Sequence, residues 1–179
     1  MDIGVISVRY ARALLKGALE AGLEDAVYGE MLLLAKSYVE VPQLRQTIDN
    51  PMLSKQAKQS LLETAIGGPR ASAVGKSFVA LVLREDREDL VQFMANSYVT
   101  LYRKQKNIIR GKLTTAVAVS PVTEQKMRLM VESHAKGTVE FETEINPDII
   151  GGFILEYDTY RMDASVKTRL SSILSQLRK

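Results

Sequence analysis

Gly75-Lys76-Ser77 is the tripeptide in this chain that most resembles catalytic machinery, because Gly-Lys-Ser closes the loop that wraps nucleotide phosphates. In such a loop backbone N–H groups cradle the phosphates, the lysine reaches them and the hydroxyl holds magnesium. The full pattern also needs a glycine five positions before Gly75, where this chain has Arg70, and a strand where the residues here follow a helical period. The tripeptide therefore reads as a small residue on a packed helix, and no nucleotide or other cofactor is expected. His134, the single histidine, ends an apolar stripe of Met127, Met130 and Val131 and reads as a core-boundary residue. Glu140, Glu142 and Glu144 form a row of like charges on the wet face of a strand, without the histidines or grouped carboxylates of a metal site. There is no G-x-S-x-G elbow, and a serine triad would have only His134 as its base.

These residues are carried by elements whose period is helical from Val5 to Lys106. A first helix over about 5–21 ends at Gly22. A second, from about 24, aligns Val27, Met31, Leu34, Tyr38 and Val41 on one face. Pro42 opens a third with Leu44 and Ile48, and Ser54 caps a fourth bearing Ala57, Leu61, Leu62 and Ala65. Gly67-Gly68-Pro69 stops it. A fifth helix is expected over about 71–84, and a sixth over about 87–107 with Leu90, Met94, Tyr98 and Leu101 as its spine. The period then changes. Lys112–Val119 reads as a strand, a helix follows Pro121, and Thr138–Ile145 alternates strictly, with Val139, Phe141, Thr143 and Ile145 opposite the glutamates. Phe153, Leu155 and Tyr157 form a third strand. Asp158-Thr159 turns it into a short partner, and a last helix carries Val166, Leu170, Ile173, Leu174 and Leu177.

The fold class expected is therefore α+β: an N-terminal six-helix bundle over 1–106 and a small mixed α/β C-terminal domain over 107–179. The absence of cysteine removes disulfides and thiolate metal sites. Residues 1–108 hold 14 basic and 12 acidic side chains and the remainder 10 and 9, so no basic stripe marks a nucleic-acid surface. No apolar run reaches the ~18–20 residues that span a bilayer. Arg9, Arg12 and Lys16 on an amphipathic helix resemble a transit peptide, but Asp2, Glu20 and the unbroken pattern place this segment in the fold. That first helix is apolar or small around most of its circumference, wider than the ~100° arc a surface helix needs. Two readings stay open: a central helix of the bundle, or a groove for a partner's amphipathic helix, with Ala13 and Gly17 allowing close approach.

The stretch from Ile145 to Leu174 reads as structural punctuation. Asn146-Pro147-Asp148 turns the chain, Gly151-Gly152 lets the backbone bend and pack closely, and Asp163 or Ser165 caps the last helix. Its order (Ile145, Asn146, Ile149, Gly151, Gly152, Phe153, Leu155, Asp163, Ser165, Val166, Arg169, Leu170) resembles the C-terminal signature of the delta subunits of bacterial ATP synthase, relatives of the mitochondrial oligomycin-sensitivity-conferring protein. Arg9-Tyr10-Ala11-Arg12-Ala13-Leu14 is similar to the family's N-terminal motif, and Phe78–Arg87 to its fifth helix and following turn. Two departures are Asp158 where the family has a hairpin glycine, and Ala164 between Asp163 and Ser165.

The resemblance implies a non-catalytic stator part of the proton-translocating synthase, peripheral on the cytoplasmic face of the bacterial cell membrane and held there only through the complex. Its helical domain would hold N-terminal helices of the alpha subunits, through Tyr10, Ala13, Leu14 and Gly17 of the first helix and Val74, Phe78 and Val82 of the fifth. Its C-terminal domain would hold the b subunits of the peripheral stalk. The alternatives are a helical adaptor for another amphipathic helix and, third, a small hydrolase or transferase.

Overall fold

The computed structural model describes residues 3–135, 138–157 and 160–177; the side chains of Met130, Ser133, His134, Ala135 and Phe141 lie outside that description, as does the expected turn Asp158-Thr159. The chain divides into two units, Met1–Gln105 and Lys106–Lys179.

The first unit contains α1 (Ile3–Ala21), α2 (Glu24–Glu40), α3 (Pro42–Ile48), α4 (Lys55–Ala65), α5 (Ala73–Arg84) and α6 (Val91–Lys106), with 3-10 turns at Gly68–Arg70 and Glu88–Leu90. Local chemistry sets these ends. Gly22 takes φ +65, and the Gly22 and Leu23 N–H groups return to the Leu19 and Ala18 carbonyls, closing α1 in a left-handed cap. The Ser54 hydroxyl accepts from Ala57 N–H, and Ser72 does the same for Gly75, so α4 and α5 both start on a serine. Ala11, Ala18, Val27, Met31, Leu34, Leu62, Val79, Val82, Met94 and Tyr98 are sealed inside, and each large side chain contributes about 1.5–3 kcal/mol by leaving water.

Three expectations need correction here. Residues 88–90 form a 3-10 turn, so α6 is 16 residues long, about 24 Å, and shorter than the pattern from 87 suggested. Val41 is exposed because the chain leaves helical geometry there before Pro42. Leu61 is 38% exposed at the edge of the packed face, while its neighbour Leu62 is fully buried.

The second unit contains β1 (Ile108–Thr115), α7 (Pro121–Ala135), β2 (Thr138–Ile145), a 3-10 turn at Pro147–Ile149, β3 (Phe153–Tyr157), β4 (Tyr160–Asp163) and α8 (Val166–Leu177). The sheet order is β2-β1-β3-β4. β1 and β2 run parallel from Ile108↔Thr138 to Thr115↔Ile145, which requires a crossover, and α7 supplies it. β3 lies antiparallel to β1 with Leu113 opposite Leu155, and β4 antiparallel to β3 with Leu155 opposite Met162. Leu113, Val131, Val139 and Leu155 are the core, with Ile109, Met127, Phe153 and Tyr157 packed around them. The first strand thus begins at Ile108 rather than Lys112 and ends at Thr115. The Thr115 hydroxyl donates to the Val117 carbonyl at 2.8 Å, and the chain turns out of the sheet. Ile145, expected to face inward with Val139, is exposed at the strand's end.

Candidate functional site

The residues that resembled a phosphate loop lie in the first turn of α5, after a 3-10 turn and not a strand. Gly75 is buried, and its N–H is already engaged by the Ser72 hydroxyl. A side chain at Gly75 would collide with Oε2 of Glu30, whose carboxylate accepts from both the N–H and the hydroxyl of Ser72. The glycine therefore makes room for a buried carboxylate that holds the start of α5 against α2. His134 lies in α7, but its side chain is outside the described residues. Among the described residues no group of His, Asp or Glu is arranged to hold a metal ion.

The glutamate row is more ordered than a solvated face requires. Arg110 pairs with Glu142, Lys112 with Glu144 at 2.7 Å, and Arg161 with Glu156 at 3.4 Å. The hydrogen bond and charge of Glu144 raise the Lys112 ammonium above its ordinary pKa. These pairs are exposed, so they fix register more than they stabilise. Elsewhere Lys58 is buried against Glu88 at 2.7 Å, joining α4 to the turn before α6. Tyr102 donates to Asp25 and stacks on Tyr28, which Arg103 covers from 5.7 Å. Burial first, then the Asp25 hydrogen bond, raises the Tyr102 phenol above its ordinary pKa.

The seven residues expected at a partner groove lie on α1 and α5, which pack together. Tyr10, Gly17 and Val74 are partly exposed and Ala13 is exposed, with open space where a Gly17 side chain would point. Leu14 (6% exposed), Phe78 (5%) and Val82 (0%) are bundle interior instead. Apolar positions of one helix look alike in sequence, and here these three are covered by the bundle itself.

In the second unit the Gly-Gly and Asp-Ala-Ser segments meet. Gly152 has φ +76, and a side chain there would strike the Ala164 carbonyl. Hydrogen bonds from Ala164 N to Phe153 O (3.0 Å) and from Val166 N to Gly151 O (2.9 Å) clamp the two segments together. Ser165 is the N-cap of α8, accepting from Thr168 N–H at 3.2 Å, while Asp163 accepts from Ser165 N–H and the Thr168 hydroxyl. These bonds, those of Ser165 first, hold the Asp163 carboxyl below its ordinary pKa.

The clamp aims α8, and α8 buries none of its described side chains. Val166, Leu170, Ile173 and Leu177 recur at steps of four, three and four, with Leu174 beside them, and their exposure runs from 37% to 78%. That spacing is the seam of a two-helix coil, and among the described residues of its unit no helix covers it. The sequence showed the apolar row but not that this chain leaves it open.

Residues 6–177 match the family described as ATP synthase delta (OSCP) subunit. ATP synthase subunit delta of Phocaeicola vulgatus is 49% identical over 176 residues, covering 98% of this chain and 95% of that protein. The subunit delta of Bacteroides thetaiotaomicron is 41% identical over 177 residues, with the same coverage of 98% and 95%. Among solved structures, a chain of the cryo-EM structure of the Toxoplasma gondii mitochondrial ATP synthase hexamer shares the fold at a TM-score of 0.67 and 21% identity, over 97% of each chain.

Proposed function

This chain belongs to the ATP synthase delta (OSCP) subunit family, a stator subunit with no catalysis of its own, and from that premise we propose how its two units divide the work. The helical unit holds the catalytic alpha/beta hexamer by gripping N-terminal helices of the alpha subunits. The C-terminal unit holds the b subunits of the peripheral stalk. The link resists the torque that would otherwise turn the hexamer with the rotor, while proton flow drives ATP synthesis. The chain works at the cytoplasmic face of a bacterial membrane and reaches it only through the complex. Among its described residues no helix is long and apolar enough to cross a membrane.

The observation that carries the stalk half is α8: a helix whose 4-3-4 apolar seam is exposed among the described residues suits a long helical partner. For the hexamer half the support is the flank of α1 bearing Tyr10, Ala13 and Gly17, beside Val74 of α5, where small residues admit another helix closely. Leu14, Phe78 and Val82, on the same two helices, are buried in the bundle.

The test is capture of the native chain from solubilised membranes with identification of what comes with it. Wild type is expected to retain alpha and b subunits together. Gly17→Trp should lose alpha and keep b, whereas Leu170→Asp with Ile173→Asp should lose b and keep alpha. Retention of both by both folded variants would refute the assignment of surfaces.

A further inference from the structure

Ile150 stands where a side chain is least welcome. Its φ is +69 and its ψ −42, a conformation that a β-branched residue rarely adopts. Gly151, whose own φ is not in the left-handed region, is the next residue, so glycine is used beside the strained position and not at it. The unit does not bury the side chain either: Ile150 is 61% exposed, whereas its neighbour Ile149 is buried. Backbone strain of this kind clusters where another molecule is met.

The surroundings give the chemistry of that molecule. Ile150 lines a hollow of about 520 Å³ together with Val117, Val119, Met127 and Phe153. No charged side chain lines it, and Val117 is as open to water as Ile150. An aliphatic, uncharged hollow takes an apolar segment, since a charge placed there would lose water and gain no partner.

Gly151 joins this hollow to the α8 seam. It lines the hollow, its carbonyl accepts from Val166 N–H at 2.9 Å, and a Cβ built on it would come within 3.1 Å of Val166 Cγ2. Val166 is the first residue of the seam that ends at Leu177. Apolar surface therefore continues from α8 past Val166 into the hollow. The continuation matters because α8, at 12 residues, is about 18 Å long and shorter than two heptads, where a sustained coil needs about three to four. A helix lying on α8 alone would be short of contact.

We propose that the hollow is the second half of the α8 docking surface: the helix on the seam runs past Val166 and packs an apolar turn into the hollow, against an Ile150 held in its strained conformation to meet it. This rests on the reading that α8 receives the b subunits, and it adds the residue that anchors them.

The experiment titrates the purified soluble region of the b subunit into the full chain by isothermal calorimetry, with urea unfolding of each variant alongside. Ile150→Gly should weaken binding about tenfold or more while its urea midpoint stays at or above that of wild type, because glycine accepts a positive φ. Ile150→Leu, which keeps the apolar volume, should bind within about threefold of wild type. Val117→Asp should weaken binding as Ile150→Gly does. Wild-type affinity in Ile150→Gly or Val117→Asp, while Leu170→Asp with Ile173→Asp no longer binds, overturns the hollow and leaves α8 as the site. Normal binding by Leu170→Asp with Ile173→Asp instead overturns the α8 reading, and the continuous surface with it. A fallen urea midpoint in Ile150→Gly overturns the anchor, because the isoleucine would then serve its own unit. So does a sedimentation mass that doubles with concentration and is reset by Ile150→Gly, which would make the occupant a second copy of this chain.

Discussion

Gly152→Val tests the clamp that aims α8. Two costs follow from the structure. The residue holds φ +76, which disfavours any L side chain by roughly 1–2 kcal/mol and a β-branched one at least as much. A Cβ would also overlap the Ala164 carbonyl, and backbone cannot rotate away as a side chain would. Relieving the overlap pushes apart the segments joined by Ala164 N to Phe153 O and Val166 N to Gly151 O. Each such bond contributes about 0.5–1.5 kcal/mol, so the total loss is about 2–5 kcal/mol. Gly151→Ala is the control: its Cβ would come within 3.1 Å of Val166 Cγ2, a side-chain atom on an exposed helix that can yield, and its loss should be the smaller. Urea unfolding of the full chain, followed by far-ultraviolet circular dichroism and by amide exchange of the second unit, measures both. A Gly152→Val variant within 0.5 kcal/mol of wild type would refute the clamp.

A pair of tyrosines makes a sharper contrast than either alone. The Tyr98 hydroxyl donates to the Glu24 carbonyl at 3.1 Å, while the buried Tyr38 hydroxyl has no hydrogen-bond partner among the described residues. Tyr98→Phe should cost about 1 kcal/mol, whereas Tyr38→Phe should be neutral or stabilising; equal losses in thermal unfolding would contradict this. Gly75→Ala should expel the Glu30 carboxylate from Ser72 and cost the helical unit about 1.5–3 kcal/mol, the range for a charge-assisted hydrogen bond. Unchanged exchange protection at the start of α5 would refute that. Asp163 has a folded pKa below its unfolded one, so its stabilising effect is complete above the unfolded value and is lost as pH falls through the folded one. Asp163→Asn should therefore flatten the acid limb of the second unit's unfolding curve and leave the region above pH ~6 sloped as before. An identical acid limb in the two proteins would remove Asp163 from the account.

Much of this architecture is written in short-range pattern. Val27, Met31, Leu34 and Tyr38 fall on one helical face and are all buried; Ser54 stands before an apolar run and caps it; Leu155 sits at the centre of an alternating run and lands in the core. What was not legible depends on partners distant in sequence. Glu30 looks like a surface residue until Ser72, 42 positions later, folds onto it, and Lys58 does until Glu88 does. The start of β1 is set by pairing with β2 thirty residues on, which draws Ile108 and Ile109 into the sheet. The candidate surfaces were the hardest to read. An apolar helical row has the same period whether it meets its own chain or another, so Leu14, Phe78 and Val82 could not be told from contact residues, nor the α8 seam from a core face.

Whether this chain is a mechanical link, and only that, is decided by measuring gradient-driven ATP synthesis and ATP hydrolysis in the same membrane vesicles, stripped of the chain and then resupplied. On removal, synthesis should collapse while hydrolysis by the hexamer persists. Wild type should restore synthesis, and Leu170→Asp with Ile173→Asp should not. If hydrolysis instead fell tenfold with synthesis, about 1.4 kcal/mol of barrier, the chain would be an active participant in the chemistry and the account of a passive stator would be wrong.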